Sequence, residues 1–182
     1  MRRPRPSRRA RKKFINGHAD ARQKNKPPPP CGYGAVAVSS DTGARLFTMG
    51  GPVTSATPGV RHTATDNLAC LIAITRALTW AADDPVANPI LPIGEHSRPI
   101  CIRYDNEYAA MIATGVWKAK KHKDAAPLAQ RAWKRLKARK GERLWIQHAG
   151  RGHPRDGHWV QAARGLALEG KRGTYIYAAD VS

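Results

Sequence analysis

Acid is scarce in this chain: 13 Asp and Glu stand against 32 Lys and Arg in 182 residues, leaving a formal charge of +19. An excess of that size repels itself unless a polyanion neutralises it, so nucleic acid is the expected partner. Long apolar runs are also missing. The longest, Leu68 to Ile74, is far short of a membrane span and gives way to Thr75 and Arg76. No membrane partner is expected. Cysteine is limited to Cys31, Cys70 and Cys101, with no C-x-x-C pair. That spacing suggests neither zinc nor a disulfide framework, and free thiols suit a reducing, intracellular compartment. The N-terminus lacks the apolar stretch of a secretory signal, which argues against secretion.

What is present suffices for one domain: 41% of the residues are hydrophobic, enough for a core in a chain of this size. Residues 1–13 carry eight basic residues and two prolines without apolar periodicity. A disordered basic tail is expected there, serving as a nuclear or organellar (mitochondrial) address or as an arm along phosphates through Arg8, Arg9, Arg11, Lys12 and Lys13. Phe14-Ile15-Asn16 reads as a short strand, followed by a long loop through Pro27 to Pro30. The stretch from Gly32 to Ser39, a turn at Asp41-Thr42-Gly43, and residues 45–49 read as a β-hairpin.

Residues 66–82 place Leu68, Leu71, Ile72, Thr75, Leu78 and Trp80 near helical spacing, with Thr65 or Asp66 as cap. Four prolines mark 83–99 as loop, and Ile100-Cys101-Ile102 predicts a buried strand ending at Tyr104-Asp105. Helices are predicted over 106–116 and 124–140. The second would bury Leu128, Ala132, Trp133 and Leu136 and turn Arg131, Lys134, Arg135, Lys137 and Arg139 outward. Leu144 to Gln147 predicts a strand, 158–169 a helix, and 174–177 an edge strand or an interaction tail. The order β, β, β, α, β, α, α, β, α implies an α/β fold, a mixed sheet with helices on its faces.

Five ordered pieces resemble the ribonuclease H family, in the divergent form carried by retroelement polymerases, over 14–170. FINGHAD is similar to a strand ending F-T-D-G-S, and CGYGAVAV to the G-x-G-A strand that follows. ATDNLACLIAITRAL resembles A-T-N-N-R-A-E-L-x-A-hydrophobic-x-x-A-L, IRYDNEY resembles hydrophobic-x-x-D-S-x-Y, and HAGRGHPRDGHWVQAAR resembles H-x-G-x-P-x-N-x-x-A-D-x-L-A. The resemblance implies a ribonuclease H-like, mixed five-stranded sheet with helices on both faces, flanked by tails at 1–13 and 171–182.

The family cuts the RNA of an RNA–DNA hybrid with four carboxylates around two magnesium ions, one activating water and the other stabilising the leaving oxygen. Carried over, the first acid falls on Asn16, or on Asp20 in a longer register. The second falls on Cys70, a soft ligand that magnesium shuns; the third is kept as Asp105; the fourth falls on Val160. His148 matches the family's mobile histidine if Arg151-Gly152 is an insertion. Asp66 and Asp156 each precede a lost acid by four residues, a displacement of about 5 to 6 Å along a helix. The eroded set predicts a non-catalytic, cofactor-free nucleic-acid binder, a ribonucleoprotein component such as an organellar ribosomal protein.

The alternative is an active, Mg²⁺- or Mn²⁺-dependent hybrid ribonuclease rebuilt from Asp20, Asp66, Asp105 and Asp156. A third reading is an assembly protein that docks on RNA and holds other proteins of the particle. The binder would grip RNA or RNA–DNA hybrid through the N-terminal arm, Lys118, Lys120, Lys121, Lys123 and the basic face of the 124–140 helix. Trp117, surrounded by lysines, is the aromatic candidate for contact, whereas Trp133 belongs to the core face of its helix.

Overall fold

The computed structural model describes residues 30–39, 42–60, 64–83, 99–149 and 154–179. The strand expected at Phe14 to Asn16 and the basic arm lie outside the described residues. Small and β-branched residues form a hairpin of β1 (Cys31–Val38) and β2 (Arg45–Val53), running antiparallel from Cys31 opposite Val53 to Ala37 opposite Phe47. β5 (Ile176–Ala179) pairs antiparallel with the other edge of β2, so an edge strand forms two residues later than the expected 174–177. β3 (Ile100–Tyr104) and β4 (Leu144–His148) form a second, parallel pair, with Tyr104 opposite His148. Among the described residues the strands therefore form a three-stranded and a two-stranded sheet, where one five-stranded sheet was expected.

Strand alternation puts Gly32 and Gly34 on one face of the hairpin and Cys31, Tyr33 and Ala35 on the other. The glycine face receives α4 (Pro154–Lys171) at very close range. A Cβ on Gly32 would overlap the Ala167 carbonyl, one on Gly34 the Ala163 carbonyl, and one on Gly170 the Gly51 carbonyl. Only residues without a Cβ permit that approach. The opposite face meets α1 (Asp66–Ala82), whose Trp80 stacks on the fully buried Phe47 with ring centroids 5.0 Å apart. Tyr177 of β5 meets Phe47 edge-on at 4.6 Å.

Thr65 is the cap of α1: its side-chain oxygen accepts from Leu68 N–H at 3.2 Å, satisfying a donor that the first turn leaves without a partner. Leu68, Leu71, Ile72 and Leu78 are the buried face that the sequence spacing predicts. The chain between β3 and β4 crosses over through α2 (Glu107–Thr114) and α3 (Ala125–Lys140), as a parallel pair requires. Asn106 caps α2, and Gly115, at φ 82°, ends it in the left-handed conformation that favours glycine. Ala125, Ala126, Ala129 and Leu136 bury α3 against α1 and α2, and Trp133 packs half-buried on the same core.

Candidate nucleic-acid interface and remnant acidic site

The C-terminal end of β3 meets the N-terminus of α1 and the middle of α4, and Asp66, Cys70 and Asp105 of the resemblance's site residues gather there. Asp105 follows the last residue of β3, and Asn106 ties it to α1 by donating through Nδ2 to Asn67 Oδ1 at 2.8 Å. Cys70 lies one turn into α1, half-buried. Its thiol is pushed up to about 11, first by burial and then by the negative charges of Asp105 and Asp66. Those charges therefore converge on a sulfur that stays protonated. Asp66 accepts a 3.7 Å hydrogen bond from the thiol of Cys31, and burial, followed by Asp66, raises that thiol too.

Among the described residues Asp105 has a partner that the sequence reading missed. Arg164 of α4 donates to Asp105 Oδ2 through Nε at 3.3 Å and Nη2 at 3.2 Å. Arg164 lies one helical turn beyond Val160, the position matched to the fourth acid, so a guanidinium reaches toward the surviving carboxylate. The signal was present as the i, i+4 spacing from Val160, but a search for acids passes over a base. Asn16 and Asp20 lie outside the described residues, as does the side chain of Asp156 in the first turn of α4. His148 is exposed at the end of β4, its ring edge-on to Tyr104 at 5.3 Å. Among the described residues no three His, Cys, Asp or Glu side chains come together to hold a metal. Among the described residues, a protonated thiol and an arginine on the one matching acid do not fit a pair of magnesium ions.

A basic segment borders this site. Between Glu107 and Asp124 the sequence contains no acid, and Lys118, Lys120, Lys121 and Lys123 are all exposed. Hydrogen bonds hold the segment: Trp117 N–H donates to Met111 C=O at 3.1 Å, and the Tyr108 hydroxyl donates to Lys121 C=O at 3.3 Å. His122, at a left-handed φ of 58°, meets the Thr65 hydroxyl at 3.2 Å and so fixes the segment to the start of α1. Trp117 is 44% exposed and Val116 69%.

The outward bases of α3 divide into two groups. Arg131, Lys134, Arg135 and Arg139 are all exposed, but the first two differ from the others in contact. Arg135 stands 3.9 Å from Asp83, Lys137 donates to Leu144 C=O at 3.0 Å, and Arg139 donates to Ala82 C=O at the end of α1. Part of the expected binding face is thus engaged in holding α3 to α1 and β4. Among the described residues no helix is long and apolar enough to cross a membrane. Compared with protein-family models and with curated proteins, the chain matches none.

Proposed function

We propose that this protein is a ribonuclease H-like nucleic-acid-binding protein that does not cleave, and that it serves as a component of a ribonucleoprotein such as an organellar ribosome. The observation that carries the reading is the Arg164–Asp105 pair. Where the family holds metal with acid, this chain sets a base against its one matching acid, beside the protonated Cys70. The exposed lysines at 118–123 supply an acid-free surface next to it, suited to the phosphates of RNA or an RNA–DNA hybrid. The finer fold proposal is that β1 and β3 flank a further strand, so that it and β1 to β4 make the five-stranded sheet of the resemblance, with β5 as an added edge strand; among the described residues β1 and β3 each have a single strand partner.

Convergence of Asp66 and Asp105 on Cys70 is the one observation that favours the alternative, a metal-dependent hybrid ribonuclease. Incubating the protein with labelled RNA–DNA hybrid and magnesium or manganese, beside an Asp105→Asn control, separates the two. Salt-sensitive binding without cleavage is the expected result. Metal-dependent cleavage that the control loses would establish the enzyme reading in its place.

A further inference from the structure

We infer that the groove between α2 and the basic segment takes one unpaired base of a single-stranded nucleic acid, with Lys118 and Lys120 on the neighbouring phosphates. The inference rests on the nucleic-acid-binding reading and extends it, since backbone charge alone needs no concave apolar surface.

Tyr108, Ile112, Val116, Trp117, Lys118 and Lys120 line a concave volume of about 420 Å³. That falls within the ~300–1,000 Å³ range of small-molecule sites. Tyr108 and Ile112 belong to the core and its edge, but folding does not account for the other apolar walls. Val116 and Trp117 leave most or much of their apolar surface in water, while Ile112, one turn earlier, is buried. The indole sits on a segment already held by the Met111, Lys121 and Thr65 hydrogen bonds, so binding would order little that is not ordered beforehand.

Charge decides the occupant. An apolar peptide would leave two ammonium groups facing an uncharged partner, and a second copy of this chain would bring a further +19 against a molecule whose net charge is already +19. A nucleotide offers a flat π-face to the indole and anions on both sides of the base, matching an aromatic wall with lysines on its rim. Stacking of this kind tolerates any base, and the two lysines do not distinguish ribose from deoxyribose.

The test uses short RNA and DNA single strands carrying one central fluorescent adenine analogue, matching strands abasic at that position, and a blunt RNA–DNA duplex. Binding should quench the analogue in both single strands. Trp117→Ala should abolish the quenching and weaken single-strand binding about tenfold, a larger loss than it causes with the duplex; Trp117→Phe should restore most of the loss. Replacing Lys118 and Lys120 together by Gln should lower the salt dependence of binding by about two charge contacts. Abasic strands that bind as tightly as intact ones, or single-strand affinity indifferent to Trp117→Ala, would overturn the base site. Salt-sensitive duplex binding that persisted in that case would leave the broader reading standing. No binding to any of these probes would overturn both.

Discussion

The seat of α4 on the hairpin and the groove beside α2 use small and apolar residues to opposite ends. At the first, Gly32, Gly34 and Gly170 bring helix and sheet backbones so close that no side chain fits between them. At the second, Val116 and Trp117 hold large apolar side chains away from any core. Where a residue is fixed by packing, its identity follows from its neighbours in the fold. Exposed apolar residues that adjoin one another on a concave surface, as these do, point to a partner outside the chain.

The sharpest way to break that contrast is Gly34→Val. Its first clash is with the Ala163 backbone carbonyl, which cannot swing aside as a side chain could. A loss of more than about 3 kcal/mol is expected in urea denaturation, or no folded protein at all.

The second effect comes from Cys70. Its folded value of about 11 lies above the ordinary 9.0. Between those two values the unfolded chain gives up a proton that the folded chain keeps, so stability is intact below pH 9 and declines as pH rises toward 11. About 2 kcal/mol should disappear across that window, measured as the difference between the parent chain and Cys70→Ala in denaturant titrations at each pH. Identical pH profiles would place the thiol in a more aqueous setting.

Arg164→Ala should cost about 1 kcal/mol or less, because both partners of the pair are substantially exposed. With Cys70 still in place, added magnesium should leave the Tm of this variant unchanged. A rise in Tm with magnesium would mean that the arginine alone had been keeping metal out. The smallest effect is Trp117→Ala, expected to stay within about 0.5 kcal/mol of the parent in thermal melts. A large loss there would make the indole part of the core and remove the contrast with Gly34.

Helices α1, α2 and α3 were legible because burial imposes a regular spacing and capping leaves a residue-specific mark, as at Thr65 and Asn106. The strand ending at Tyr104-Asp105 was legible because an apolar run halts there at an acid. The start of α4 was not. A segment carrying Gly150, Gly152 and Gly157 reads as a turn, yet Pro154 opens the helix, where a missing N–H costs nothing and a fixed φ already suits the first turn. The site was legible as a set of absences at Cys70 and Val160. The i, i+4 spacing marked Arg164 as a neighbour of the Val160 position, but its pairing with Asp105 was not legible, since that depends on α4 facing the end of β3, a relation between distant segments. The outward bases of α3 likewise read as one face, although Lys137 and Arg139 hold backbone carbonyls that only the folded chain brings near.

The glycine seat has a further consequence in time. β1 lies near the start of the described chain and α4 near its end, so the hairpin can form long before the helix that covers it is available. Contacts that join such distant segments slow folding and leave early surfaces open to wrong partners. Until α4 docks, the glycine face of the hairpin is a bare strip of backbone with few side chains to shield it. Cellular yield of this protein should therefore depend on how quickly α4 arrives, and chaperone demand should fall on the hairpin and not on the helices between.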